Sequence, residues 1–326
     1  MTAPVFYASQ QSFLGVAKET VPGTAETAPT FWVPLISPNW TPNQTVINNE
    51  AMYGDMAKVH GAVTGSRYDT ISYSTHPVLD TLMPHMLALL GGTDTVTGTA
   101  APYSHKVSLL NTGTGQPPSY TLWMFNGAEA WRMVGSVLGK VAVDLKADAL
   151  GQVDLEWTGL AATKVTTPTN TPSTAAPWPG SNTVITVGGV TASTYSDVKL
   201  NYIREVKPII TATGTATPYA IFGGAVEASI DVNGVYTGYT GSELEKLITN
   251  SQQIITVACN AANDATHTGT WTHSVTRATK AQPKQSAGSW VEIDSTFEAI
   301  SNATDAVGGG TSPCSFTLVN TTATPF

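Results

Sequence analysis

The feature that most constrains this chain is a strict two-residue alternation over residues 134–160. Val137, Gly139, Val141, Val143, Leu145 and Ala147 alternate with Leu138, Lys140, Ala142, Asp144, Lys146 and Asp148. After Ala-Leu-Gly-Gln the alternation resumes, with Val153, Leu155 and Trp157 on one side and Asp154, Glu156 and Thr158 on the other. Successive side chains of a strand point to opposite faces, so this pattern specifies two half-buried strands joined by a short turn. A helix of 3.6 residues per turn would scatter the same residues around its surface.

The same pattern recurs. Val226, Ala228, Ile230 and Val232 oppose Glu227, Ser229, Asp231 and Asn233, and Val291, Ile293, Phe297 and Ala299 oppose Glu292, Asp294, Thr296 and Glu298. Residues 31–37, 67–75, 254–260, 270–278 and 315–321 also read as strands. Two helices are expected. One runs over 77–90, with Thr75 as its cap, Pro84 interrupting it and Gly91-Gly92 ending it. The other runs over 242–249, where Ser242 and Glu245 form a capping box. The chain is therefore mainly β: a β-sandwich or barrel with long hairpins and one or two short flanking helices.

The organisation expected is an irregular, Pro-rich N-terminal arm (1–45), a first β half (46–162), a Thr/Pro-rich exposed loop or linker (163–183) and a second β half (184–326). The two halves could equally form one composite domain. Residues 46–66 show no clean period and read as a long loop.

Charged residues are only 12% of the chain, about half the usual share, which suggests a surface extensively covered by partners. A net charge of −8 argues against a basic nucleic-acid-binding module. No apolar run approaches a membrane span, and MTAPVFYASQ is not a signal peptide. Two cysteines, Cys259 and Cys314, give no disulfide framework and read as buried thiols. Gly135 to Val141 fails as a phosphate loop: it has three residues between its glycines, a Val after the Lys, and a strand where a helix is needed. The six histidines lack metal-ligand spacing and read as surface or interface residues. Paired carboxylates such as Asp154/Glu156, Glu227/Asp231 and Glu292/Asp294 sit at alternate positions, which marks a solvated strand face rather than an acid/base pair. The reading calls for no enzyme activity, no cofactor and no metal.

Four segments carry a family resemblance. FLGVAKETVPGTAETAPTFWVPL (13–35), GSVLGKVAVDLKADALGQVDLEWTGLAA (135–162), ASIDVNGVYTGYTGSE (228–243) and SPCSFTLVNTTATPF (312–326) resemble, in that order, segments of the tail tube (major tail) proteins of long-tailed, non-contractile bacteriophages. The resemblance implies a virion protein, assembled in the host bacterial cytoplasm, whose subunits form rings, usually hexameric. Rings stack into a tube through which double-stranded DNA passes transiently. Its partners would be other copies of itself and the tape measure, terminator and distal tail proteins, with no membrane.

Two physical expectations stand beside the resemblance. Long alternating strands have bare edges that a closed ring would complete. The polar faces carry Asp144, Asp148, Asp154, Glu156, Glu227, Asp231, Glu292, Asp294 and Glu298 against Lys140 and Lys146, a local balance of −7 out of the chain's −8. These acids are the candidates for lining a lumen that repels DNA. Met52, Tyr53 and Met56, with Phe13 and Trp32, are the candidates for contacts between stacked rings. The alternatives are a carbohydrate- or receptor-binding tail module, for which Trp123, Trp131, Trp178, Trp271 and Trp290 would stack on sugars, a polysaccharide-cleaving enzyme, and a capsid decoration protein.

Overall fold

The computed structural model describes residues 6–212, 215–261, 264 and 266–326. Its first ten strands and first helix are β1 (Phe13–Lys18), β2 (Phe31–Val33), β3 (Asn39–Asn49), β4 (Gly61–Thr75), α1 (Leu79–Leu90), β5 (Thr95–Thr97), β6 (Tyr103–Ser108), β7 (Tyr120–Phe125), β8 (Ala130–Lys146), β9 (Gln152–Leu160) and β10 (Thr163–Val165). Then follow β11 (Val184–Val187), β12 (Val190–Thr191), β13 (Tyr195–Ile209), β14 (Ala220–Val235), α2 (Glu243–Thr249), β15 (Gln253–Asn260), β16 (Thr268–Lys284), β17 (Glu292–Ala299) and β18 (Ser315–Asn320).

All the strand pairings are antiparallel, and β8 belongs to two sheets. Its first half lies in a small sheet of order β2-β1-β7-β8-β10. Its second half lies in a large sheet of order β3-β4-β9-β8-β13-β14-β17-β16. Beyond this, β16 is flanked by β15, which leads to β11 and β12, and by β18, which leads to β6 and β5. The change of sheet along β8 occurs near Gly135, whose φ of 62° is accessible to glycine at little cost. The buried carboxylate of Glu19 fixes this point, accepting from the Gly135 N–H (2.7 Å) and the Thr121 hydroxyl (2.9 Å).

The predicted alternation is the core. Across the large sheet, Val153, Val143, Leu200, Ile230 and Phe297 sit in register on one face and are all buried. Helix α1 is enclosed rather than flanking: every residue from Thr81 to Leu90 is buried, and the helix packs on β2, β6, β8 and β18. A helix apolar all round can exist only as a core element. Leu82, Met86, Leu89 and Leu90 each contribute about 1.5–3 kcal/mol by burial. The helix starts at Leu79 with Val78 at the cap, so Thr75 does not serve, while Gly91 ends it in the left-handed conformation as expected. Helix α2 carries the predicted cap, with the Ser242 hydroxyl accepting from the Glu245 N–H.

Three expectations need correction. Residues 46–66 are a loop only over 50–60: 46–49 and 61–66 are strand, the distal part of a hairpin whose strands reach Asn49 and restart at Gly61. The arm at 1–45 contains β1, in the interior of the small sheet with Leu14 and Val16 fully buried, and most of β3. Pro42 is tolerated there because β3 is an edge strand. The segment 163–183 is anchored at its far end. Trp178 is fully buried, its N–H donates to Pro77 O (3.0 Å), and its carbonyl accepts from Gly151 N (2.9 Å).

Candidate assembly surfaces

The outward face of the large sheet collects the predicted acids. Reading across the strands in register, Glu156, Lys140, Ile203 and Glu227 form one row. Asp154, Ala142, Asn201, Ser229, Glu298 and Arg277 form the next, and Gln152, Asp144, Lys199, Asp231, Thr296 and Lys280 the third. Lys146, Asp197, Asn233 and Asp294 follow, and Glu292 with Lys284 closes the face. Eight of the nine predicted acids therefore share one surface, and Asp148 lies in the β8–β9 turn.

The face is less acidic than the sequence count implied. Strand β13 contributes Asp197 and Lys199, and β16 contributes Arg277, Lys280 and Lys284, none of which was counted. Nine carboxylates then stand against six cations on the sheet surface. Three carboxylates are paired: Asp144 with Lys146 (3.1 Å), Glu298 with Arg277 (2.7 Å), and Asp294 with Lys280 (2.6 Å) and Lys284 (2.9 Å). Hydrogen bonds from Lys280 and Lys284 hold Asp294 below the usual carboxylate range. Asp231 is instead held by neutral donors, Asn201 Nδ2 (2.8 Å) and the Thr296 hydroxyl (2.7 Å), and Asp154 by the Ser74 hydroxyl (2.7 Å). Glu156, Glu227 and Glu292 are exposed and form no ion pair among the described residues.

The β3–β4 hairpin is the second surface. Among the described residues strand β3 pairs with β4 alone, so its outer edge is bare over eleven residues. Strand β4 pairs with β9 only from Tyr68 onward. Beyond that root the hairpin projects, with Val46, Ile47 and Val63 each more than half exposed and Met52 and Met56 fully exposed. Tyr53 packs on His60 (centroids 4.4 Å) and receives a hydrogen bond from Asn49, which orders the tip locally. The root is fixed by the buried Asp69, which accepts from Trp40 Nε1 (2.9 Å), the Arg67 guanidinium and Ala162 N (3.0 Å). The other two stacking candidates lie elsewhere. Trp32 is buried against Phe13 (5.4 Å), and Phe13 stacks on Phe125 (5.0 Å) in the small sheet, so neither is brought together with the hairpin tip.

The histidines correct another expectation, because three of the six are core residues. His85 and His273 hydrogen-bond the hydroxyls of Tyr73 (2.8 Å) and Tyr202 (3.0 Å), and burial lowers both rings to a pKa of about 4. His105 bonds the Asp94 carboxylate (2.8 Å) and Thr322 O (2.9 Å). Both cysteines are buried thiols, and burial raises their pKa values. Trp123, Trp178 and Trp271 are buried and offer no platform to a sugar. Among the described residues, no group of three His, Cys, Asp or Glu could hold a metal ion, and no helix is long and apolar enough to cross a membrane.

A broad charged sheet face, a bare strand edge and a projecting apolar hairpin are features of a surface suited to assembly with other molecules. A family model described as phage tail tube protein matches residues 9–313, and the chain belongs to that family. No curated protein matches it. The chain is thus a structural component of a phage tail, a protein that assembles with other copies and other tail components.

Proposed function

We propose that this protein forms rings, hexameric in the expected case, that stack into the tail tube of a long-tailed, non-contractile phage and conduct DNA during genome ejection. Assembly takes place in the host cytoplasm, with the tape measure, terminator and distal tail proteins as partners. The observation that carries the reading is the β3–β4 hairpin, whose bare edge and apolar tip have no partner among the described residues outside the hairpin itself. A monomer would leave both as liabilities for uncontrolled aggregation, whereas a closed, stacked assembly uses them. The outward face of the large sheet is proposed to line the lumen.

Negative-stain electron microscopy of concentrated purified protein tests this. Rings or hollow tubes are expected. Discrete small oligomers that bind glycans, or a protein that only decorates capsids, would replace the tube with one of the alternatives.

A further inference from the structure

A pocket of about 350 Å³ opens beside α1 and is so far unassigned. Phe31, Leu87, Pro118 and Tyr120 supply apolar and aromatic wall, and Phe326 borders it with its ring partly exposed. Lys18 also lines it, exposed and without an ion pair among the described residues. Asp80 and Pro84 lie on the helical wall. Pro84 has no N–H to give the carbonyl of Asp80, four residues earlier, so that carbonyl lacks its helical donor on the side that bounds the pocket.

The position of this pocket is informative. Phe31 packs on His85 (5.6 Å), which bonds Tyr73, and Tyr120 packs on Trp157 (5.3 Å), which pairs with Ile71. The pocket therefore lies at the level of residues 71–75, the far end of β4 from the hairpin tip. From Gly61 to Tyr73 a strand rises about 40 Å. The two bare methionines and the aromatic-lined recess thus lie toward opposite ends of β4. Two different patches that fit one another make a head-to-tail contact, which propagates without closing when successive copies are stacked along an axis.

We propose that this pocket receives the β3–β4 hairpin tip of a second copy in the next ring, with Met52 and Met56 inserted among Phe31, Tyr120 and Phe326. The proposal rests on the stacking reading above and names the surface that the tip meets. Methionine suits such a site, because its flexible, polarisable thioether fills irregular gaps and packs favourably on aromatic rings. The tip also carries Glu50 and Asp55 beside the methionines. Lys58 lies 3.8 Å from Glu50, while Asp55 faces His60 (3.4 Å) and is the carboxylate that Lys18 can meet at the rim.

Footprinting of the wild-type polymer tests the pairing. Met52 and Met56 should be protected from peroxide, and Lys18 from amine acetylation, each at least tenfold relative to the dissociated chain. Protected methionines with a fully reactive Lys18 would overturn the pocket assignment and leave stacking intact. Unprotected methionines in intact tubes would defeat the stacking reading itself. In a second measurement, protein carrying Met56→Cys is mixed with protein carrying Thr30→Cys, a pocket-lining position, and oxidised after assembly. Cross-linked pairs joining the two variants are expected, with Cys259 and Cys314 too buried to interfere. Tubes that yield no such pairs, with Met52→Cys also tried, would overturn the assignment.

Discussion

Trp178 illustrates how one residue changes the meaning of a segment. The sequence around it, Thr/Pro-rich and without period, reads as linker, and nothing local says that the indole is buried. Its partner is ninety-one residues away: a Cβ placed on Gly269 would lie 2.5 Å from the Trp178 ring, so glycine is needed there for close approach. Gly269→Ala should therefore destabilise the protein by about 1–3 kcal/mol through overpacking. Trp178→Ala should cost about 3–5 kcal/mol through the cavity it leaves. Chemical denaturation of both variants measures these losses. The buried histidines make a pH prediction. His85 and His273 have folded-state pKa values of about 4 against an ordinary value of 6.5, set chiefly by burial. Above about pH 6.5 both rings are neutral in the folded and unfolded chain, and stability is flat on their account. As pH falls from 6.5 towards 4 the unfolded chain takes up protons that the folded chain does not, so stability falls, by on the order of 3 kcal/mol per ring at the low end. Denaturation midpoints measured from pH 7 to 5 should decline in the wild type. The double variant His85→Gln/His273→Gln should show a flatter profile.

At the scale of elements, legibility followed burial. The strands read correctly, β8 beyond Gly139, β9, β14 and β17, each have one face on the core and one in solvent, which writes a period of two into the sequence. Before that point the expected alternation fails: a bulge at Gly139 shifts the register, so Leu138, read as part of the polar face, lies opposite Trp157 and is fully buried. The distal β3–β4 hairpin was missed because both of its faces are exposed, so no alternation is demanded of it. Strand β7 was missed for the opposite reason: five of its six residues are buried. Strand β13 was legible but not read. Val198, Leu200, Tyr202 and Arg204 alternate inward, and Arg204 obscured the pattern. That guanidinium is buried and donates to Leu89 O (2.8 Å) and Gly224 O (2.9 Å), which places a cation at the carbonyl end of α1. Missing β13 also concealed Asp197 and Lys199 on the charged face. Two element-level predictions follow from these roles. Removing the Ser242 cap with Ser242→Ala should cost about 1 kcal/mol, read by thermal or chemical denaturation. Deleting residues 50–62 removes no buried core side chain, so the variant should fold with near-wild-type stability yet give monomers or lone rings by electron microscopy. Normal tubes from that deletion would remove the hairpin from the stacking contact.

For the whole molecule, the question is what a mixed face does to a passing duplex. DNA carries about one charge per 1.7 Å of axis, while the Debye length at physiological salt is about 8 Å, so a wall acts on DNA only at close range. Close range makes the distribution of charge matter more than the total. On one half of the face, Arg277, Lys280 and Lys284 compensate Glu298 and Asp294, leaving pairs that attract and repel nearly equally. On the other half, Asp154, Glu156, Glu227 and Asp231 have no cation within ion-pair distance among the described residues, although Lys140 is in register with Glu156 and Lys199 with Asp231. Glu292, across from Lys284, forms no ion pair among them either. On the lumen reading, this half, with Asp144, Asp154, Glu156, Asp197, Glu227 and Asp231 against Lys140, Lys146 and Lys199, repels phosphate and keeps the duplex from adhering. The exposed positions Glu156, Glu227 and Glu292 can be changed to lysine without breaking a described ion pair, and the triple change turns the sheet face from −3 to +3. Tubes of normal morphology should still assemble, because these side chains point away from the core. Phage carrying the triple variant should then release DNA more slowly, and the deficit should shrink as salt is raised. Ejection followed by dye fluorescence at several salt concentrations measures this, and wild-type kinetics throughout would place the lumen on another face.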